Sequence, residues 1–73
     1  MITLVTRKNC HLCEQALGSL RALGVEPQLR DVDADDELCA LYDWRVPVVM
    51  VDGRVVAEGR IDKEEMRRAL LLP

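Results

Sequence analysis

Two cysteines lie three positions apart near the start of the chain, Cys10 and Cys13, within the stretch Lys8-Asn9-Cys10-His11-Leu12-Cys13. The segment before them is apolar, and the segment after them has a helical pattern of apolar residues. A Cys-x-x-Cys pair at such a junction between a strand and a helix is typical of a redox couple. The chemistry that these residues predict is thiol–disulfide exchange.

Cys10 is the predicted nucleophile of this pair. It lies at the start of the predicted helix, where free backbone N–H groups and the helix dipole favour an anion. Arg7, Lys8 and His11 add positive charge nearby, so we expect the pKa of the Cys10 thiol to be lowered. Cys13, one helical turn on, is predicted to lie deeper against the sheet and to attack a mixed disulfide formed at Cys10. It is the predicted resolving thiol.

Other interpretations of the same side chains stay open. The pair could be half of a metal site, although a closed zinc site needs four ligands and His11 is poorly placed beside Cys10 to supply one; we assign no metal ligands. Cys39 fits a small apolar residue on the second helix, with a redox or dimer role as the alternative. His11 either tunes Cys10 as a solvated neighbour or transfers protons as a general acid or base.

Length and composition predict one folded globular domain over residues 1–73. The chain is 49% hydrophobic and 32% charged, with no repeat or low-complexity segment. Trp44 and Tyr42 are the only aromatic residues and Phe is absent, so aliphatic side chains must fill the core. A net charge of −3 and two aromatics argue against nucleic-acid binding.

The same sequence argues against a membrane location. No apolar run approaches the roughly 20 residues of a membrane span, and the first residues have no signal-peptide pattern. We therefore expect a cytoplasmic protein. We also expect it to act as a monomer. In that reducing compartment, three cysteines indicate catalysis or metal binding in preference to structural disulfides.

Apolar periodicity predicts the first half of the fold. Met1–Thr6 is a buried strand, and residues 11–23 form a helix that carries the cysteine pair and ends before Gly24. Residues 25–32 fit an edge strand, because Pro27 cannot donate to a ladder. The first two strands should be parallel with a right-handed crossover.

The second half is predicted to hold a short helix, a hairpin and a last helix. Residues 31–37 contain five acids, which suit a strand end and the first turn of a helix with Ala34, Leu38, Leu41 and Tyr42 on its apolar face. Residues 45–51 and 54–57 form antiparallel strands around the Asp52-Gly53 turn. Asp62 caps a helix that runs to about Leu71, with Ile61 and Met66 as a hydrophobic staple.

The chain resembles the thioredoxin fold in its small, glutaredoxin-like form over essentially all its length. The features that carry the resemblance are the Cys10-His11-Leu12-Cys13 stretch, Val46-Pro47 before the third strand, and the segment Glu58-Gly59-Arg60-Ile61-Asp62 after the hairpin. It is most similar to small bacterial glutaredoxin-like proteins with a C-x-L-C centre. The resemblance implies a three-layer α/β/α sandwich with a four-stranded mixed sheet and topology βαβαββα.

The resemblance also implies a substrate site. The Val46–Pro47 bond is expected to be cis and to face Cys10, with the Val46 backbone pairing to a bound peptide or glutathione. Arg7 or Lys8 is expected to meet a substrate carboxylate, while the turn that contains Gly59, Arg60 and Asp62 holds the other end of the substrate.

Two further regions belong to the expected site. His11 and Leu12 stand between the cysteines, where glutaredoxins commonly have Pro and Tyr. Arg45, with Trp44, is expected to form one rim of the substrate groove, although Trp44 could instead pack against the second helix. Glutaredoxins commonly bind glutathione with a Gly-Gly pair and two Asp residues, and this pattern is reduced here to Gly59 and Asp62.

The function predicted from these features is that of a thiol–disulfide oxidoreductase that acts on protein or glutathione mixed disulfides. No bound cofactor is expected, glutathione being a candidate co-substrate. The reductant would be glutathione or a thioredoxin-reductase-like system. The alternative is a thioredoxin-fold module that binds zinc or an iron–sulfur cluster, or a redox-inactive relative.

Overall fold

Helices cover both faces of a four-stranded mixed sheet in the computed structural model, which describes residues 1–72. The elements are β1 (Ile2–Thr6), α1 (His11–Ala22), β2 (Gln28–Asp31), α2 (Asp36–Tyr42), β3 (Val48–Val51), β4 (Arg54–Glu58) and α3 (Lys63–Ala69). This order confirms the predicted βαβαββα topology and the thioredoxin-like fold class. Pro73, at the end of the predicted domain, lies outside the described residues.

The strand order is β2-β1-β3-β4, with β1 parallel to β2 and antiparallel to β3. Val5 pairs with Val48, and Val48 pairs with Glu58. The carboxyl ends of β1, β2 and β4 therefore meet the amino end of β3 along one edge, which we call the site edge. The Cys10 stretch, the Val46-Pro47 segment and the Gly59–Asp62 turn all start or end there.

Successive β1 residues pack on opposite faces of the sheet. Leu4 belongs to one core cluster, together with Ala16, Leu20, Val49, Ile61 and Met66 from α1, β3 and the α3 region. Val5 belongs to the other, together with Val32, Tyr42 and Val48. The sheet is thus covered by α1 and α3 on one face and by α2 on the other. This arrangement is the predicted three-layer sandwich, and its core is aliphatic as expected.

The β2 and α2 regions differ in detail from the prediction. β2 is an edge strand as predicted but begins at Gln28, after Pro27, which has no N–H to donate. An unpredicted 3-10 helix, Val32–Ala34, follows it, and the Asp35 side chain then accepts from the Leu38 N–H at 3.0 Å to start α2. Ala34 therefore lies before α2 and is exposed.

The predicted apolar face of α2 is also only partly correct. Tyr42 is buried and Leu38 is half-buried, as predicted, because they are one helical turn apart. Leu41 falls outside that face and is 53% exposed. One large apolar side chain of α2 therefore faces solvent.

The hairpin and the last helix follow the prediction closely. β3 begins at Val48 instead of Arg45, because a turn precedes it in which the Arg45 N–H donates to the Tyr42 carbonyl oxygen at 2.9 Å. Asp62 caps α3 by accepting from the Glu65 N–H at 2.7 Å. Ile61 and Met66 are both buried in the same core cluster, as the staple requires.

No helix within residues 1–72 has the length and apolar character needed to cross a membrane.

Candidate functional site

The two cysteines of the pair are brought together at the start of α1. Cys10 is the N-cap residue, and its Sγ accepts from the Cys13 backbone N–H at 3.1 Å. The two sulfurs are bonded in a disulfide whose Cα atoms are 5.2 Å apart. An extended N-cap residue followed by one helical turn therefore brings the Cys10 and Cys13 sulfurs close enough to form a disulfide.

The two sulfurs differ in access. Cys13 is only 3% exposed, because it lies on the buried face of α1, whereas Cys10 is half-buried. Another molecule can therefore reach Cys10 more readily than Cys13. This asymmetry fits the predicted roles of attacking and resolving thiol.

A tight turn connects β1 to Cys10. Asn9 adopts a left-handed backbone with φ of 59°, a conformation that Asn tolerates better than most residues. Lys8 and Asn9 are exposed in this turn. Asn9 was not among the predicted site residues, although an Asn between a strand and a helix N-cap is a usable turn signal.

The other predicted segments reach the same edge of the sheet. The Val46–Pro47 bond is cis, as the resemblance implied. The Gly59 N–H donates to the Pro47 carbonyl oxygen at 2.8 Å, which ties the end of β4 to the start of β3. Since Val48 is paired to Val5 of β1, the Val46-Pro47 segment lies directly beside the strand that leads to Cys10, and the Gly59 turn lies one strand further along the sheet. That the Val46 backbone binds substrate stays a prediction.

Arg7 is engaged within the chain. Its Nε and Nη2 atoms donate to the two carboxylate oxygens of Asp33, each at 2.9 Å. Its Nη1 donates to the Asp43 carbonyl oxygen at 3.1 Å, and its Nη2 also bonds the Asp43 carboxylate. These hydrogen bonds raise the pKa of Arg7, and the Arg7 guanidinium lowers the pKa of Asp33.

Arg7 or Lys8 is expected to contact a carboxylate of the substrate, and the internal contacts of Arg7 distinguish these two candidates. Two carboxylates already face the guanidinium, so little positive charge remains for a third. Lys8 is exposed and, among residues 1–72, forms no ion pair. Of the two candidates, Lys8 is the one whose charge is not already paired, and its contact with a substrate stays a prediction.

Arg45 is similarly paired. Its Nε and Nη2 donate to one carboxylate oxygen of Glu58 at 2.8 and 2.5 Å, and this hydrogen bonding raises the pKa of Arg45. The Arg45 guanidinium also lies 5.1 Å from the centre of the Tyr42 ring. Trp44, its neighbour, is 94% exposed. Of the two interpretations of Trp44, packing against the second helix is therefore excluded.

The remaining predicted site residues lie around the same edge. His11 is exposed, and its Nε2 is 3.1 Å from the Gln15 side-chain nitrogen, one turn along α1. Leu12 is half-buried and Arg60 is exposed. Asp62 has one carboxylate oxygen engaged in capping α3.

Two acidic residues of this edge, Asp33 and Asp43, were not among the predicted site residues. Ligand atoms of Asp33, Cys39 and Asp43 lie within 4.8 Å of one another, which is a spacing that a metal ion could use. The positive charge that faces both carboxylates is, however, the guanidinium of Arg7. Cys39 is half-buried against the core cluster under α2, which fits the predicted small apolar residue.

Comparison with protein families gives one clear match. The family model described as "Glutaredoxin-like domain (DUF836)" matches residues 1–71. No protein with a curated description matches this chain.

Solved structures show the same architecture. The chain is similar to the X-ray structure of target protein XcR50 from X. campestris, with 33% identity, all of both chains covered and a TM-score of 0.86. It is similar to protein Ne2328 from Nitrosomonas europaea, with 27% identity, 99% of this chain and 89% of that chain covered, and a TM-score of 0.80. A glutaredoxin from Archaeoglobus fulgidus, 18% identical, shares the fold over 94% of this chain and 84% of its own, with a TM-score of 0.69.

Proposed function

Because the chain belongs to the glutaredoxin-like domain family, we propose that it is a thiol–disulfide oxidoreductase that reduces protein or glutathione mixed disulfides. The observation that carries the proposal is the arrangement of Cys10 and Cys13. The half-buried sulfur caps a helix, and the buried one lies within bonding distance behind it.

The first step uses Cys10 as the nucleophile. Its thiolate attacks one sulfur of a substrate disulfide R–S–S–R′, forms the mixed disulfide Cys10–S–S–R, and expels R′S⁻. The Cys13 N–H that points at the Cys10 sulfur and the N-terminus of α1 both favour the thiolate. Lys8 adds an exposed positive charge in the turn before it.

The second step uses Cys13. Its thiolate attacks the Cys10 sulfur of the mixed disulfide, which forms the Cys10–Cys13 disulfide and expels RS⁻. The substrate disulfide has then gained two electrons, and the protein dithiol has lost two electrons and two protons. An external thiol reductant, either glutathione or a thioredoxin-reductase-like system, returns two electrons to the pair.

A trapping experiment tests these roles. Reduced Cys13→Ser should accumulate one equivalent of mixed disulfide with a model disulfide, because nothing then attacks the Cys10 sulfur from within. Cys10→Ser should accumulate much less, since Cys13 is buried. Cys39→Ser is the matched control, because it removes a third thiol without touching the pair, and it should turn over like the wild type.

The reductant is tested in the same assay. Turnover of the Cys39→Ser protein with glutathione is compared with turnover in the presence of thioredoxin reductase and its electron donor. Equal trapping by Cys10→Ser and Cys13→Ser would refute the assignment of roles. A stoichiometric metal that blocks alkylation of both thiols in the freshly purified protein would favour a binding module over an enzyme.

A further inference from the structure

The last turn of α2 and the turn that follows it present apolar side chains to solvent. Leu41 is 53% exposed and Trp44, which follows the helix, is 94% exposed. Glu37 lies one helical turn before Leu41 on the same face and is also exposed. We call Glu37, Leu41 and Trp44 the α2 face. An exposed Trp is costly in solubility and is a frequent anchor of protein interfaces.

The α2 face lies within an acidic part of the chain. Residues 31–44 contain six acidic residues and neither Lys nor Arg. Asp33 and Asp43 are paired with Arg7, and Asp35 is paired with Arg30. Asp36 and Glu37, in the first turn of α2, are exposed and form no ion pair among residues 1–72. The face is therefore apolar at one end and negatively charged at the other.

The contacts of Arg7 connect this face to the reacting sulfur. Arg7 is three residues before Cys10 and holds both the carboxylate and the carbonyl oxygen of Asp43, the residue next to Trp44. Val46 and Pro47 follow Trp44 within three residues. The turn that carries Trp44 is therefore tied through Arg7 to the segment that ends at Cys10.

We propose that the α2 face is a docking surface for the disulfide partner of Cys10, a protein segment with an apolar side chain and Lys or Arg near its reactive cysteine. This inference rests on the proposed function and specifies its substrate class. The apolar side chain covers Trp44 and Leu41, and the basic residue meets Asp36 and Glu37. A small disulfide that carries no flanking side chains has nothing to place on this face.

The charge of the face argues against a second copy of this chain as the occupant. Two copies that met through this face would bring two acidic segments together, and neither segment would supply a cation to pair with Asp36 and Glu37. Like charges at an interface oppose association unless cations separate them. A basic partner removes that repulsion.

Trp44 is the only Trp of the chain, so its fluorescence reports directly on the docking surface. The probe is a short peptide with Leu, Lys and Arg beside a Ser in place of cysteine, added to the oxidised protein. A saturable blue shift of the emission is expected, and it should weaken as salt is raised, because exposed charge pairs are screened. A peptide with Ser and Glu at the flanking positions is the control and should give no shift.

The kinetic test uses the same peptide with cysteine activated as a 2-pyridyl disulfide, in the Cys13→Ser background. Cys10 attack forms the peptide mixed disulfide and releases pyridine-2-thiolate, which is measured by absorbance. The readout is the ratio of this rate to the rate with the small reagent 2,2′-dithiodipyridine. We expect Trp44→Ala to lower this ratio about tenfold, and Glu37→Gln to lower it less.

Matched variants control for general effects on the surface. Leu71→Ala removes an apolar side chain that is 91% exposed beyond the end of α3, and Glu65→Gln removes an exposed acid of α3. Both should keep the wild-type ratio. Equal rates with the basic and acidic peptides, or a ratio unchanged in Trp44→Ala, would overturn the docking surface. A blue shift that grows with protein concentration without peptide would also overturn it, in favour of self-association.

These outcomes are separable from those of the proposed function. If Cys10 does not react even with 2,2′-dithiodipyridine, the oxidoreductase proposal itself fails. If Cys10 reacts with that reagent but shows no peptide preference, the oxidoreductase proposal stands and only the docking surface is lost.

Discussion

Arg7 holds Asp43 at two points, through the backbone carbonyl oxygen at 3.1 Å and through the carboxylate. Arg7 lies three residues before Cys10, and Asp43 lies three residues before Val46. One guanidinium therefore joins the loop that ends at the nucleophile to the loop that ends at the cis-Pro segment. The same guanidinium binds Asp33 at the start of the connection from β2 to α2.

We predict that Arg7→Gln slows exchange with an extended substrate. A peptide disulfide needs Cys10 and the Val46 backbone in a fixed relative position, and small misplacements of reacting groups are costly. The rate constant for a peptide disulfide should fall about tenfold. Alkylation of Cys10 by iodoacetamide needs the sulfur alone and should change much less. Both rates are measured on the reduced protein at the same pH.

Arg21→Gln is the matched control for that variant. It removes the two hydrogen bonds, at 2.9 and 3.0 Å, that the Arg21 guanidinium donates to the Glu26 carboxylate near the opposite end of α1. Its exchange rate should stay at the wild-type value. A loss of equal size in Arg21→Gln, or an equal loss of alkylation and exchange in Arg7→Gln, would show that the Arg7 contacts do not position the two loops.

The Arg7–Asp33 pair also predicts an acid-sensitive contribution to stability. Hydrogen bonding to Arg7 lowers the pKa of Asp33 in the folded protein. The contribution is therefore fully present above the unfolded value of about 3.9 and is lost as the pH falls through the lowered folded value. Thermal unfolding of the wild type and of Asp33→Asn should differ at pH 6, and the difference should shrink below about pH 4.

A double-mutant cycle separates this pair from other effects of Asp33. In the Arg7→Gln background, Asp33→Asn should change the unfolding midpoint less than it does in the wild type. A gap between wild type and Asp33→Asn that is constant from pH 6 to pH 3 would exclude the ion pair as its cause.

The fold could be predicted from the sequence because local signals and burial agree. The alternation in β1 places Leu4 and Val5 in different core clusters, and the Asp52-Gly53 turn sets the pairing of Val51 with Arg54 at the closed end of the hairpin. The Asp62 cap and the Ile61–Met66 staple set the start of α3. Each of these features depends on residues that are close together in sequence, or on which of the two faces of the sheet a side chain packs against.

The partners of the charged side chains could not be predicted in the same way. Arg7 pairs with residues 26 and 36 positions away, so its contacts depend on how β2 and α2 lie against β1. Its position before Cys10 suggested a ligand for a substrate, whereas the structure shows two internal carboxylates. The short 3-10 helix after β2 was missed because the acidic run 31–37 suits either a 3-10 helix or the first turn of an α-helix.

The capping of α3 gives a prediction about stability. Asp62→Ala removes the acceptor of the Glu65 N–H, which has no other partner in the first turn of a helix. Such a loss costs about 1 kcal/mol, within a range of about 0.5 to 2 kcal/mol. Urea unfolding should show this decrease, with Lys63→Ala as the control at the next position. A decrease no larger than that of Lys63→Ala would show that the cap contributes little.

The ionisation of Cys10 gives the most direct test of the site's electrostatics. In the reduced Cys39→Ser protein, the Cys13 N–H, the N-terminus of α1 and Lys8 all favour the Cys10 thiolate. The pKa of Cys10 should therefore lie below the free-thiol value of about 8.5, so rapid alkylation by iodoacetamide should persist to lower pH than for a free cysteine. Lys8→Gln should shift the midpoint of this pH profile upward, whereas Arg68→Gln, on the exposed surface of α3, should leave it in place. A midpoint at the free-thiol value would mean that helix N-terminus and lysine together do not activate the sulfur.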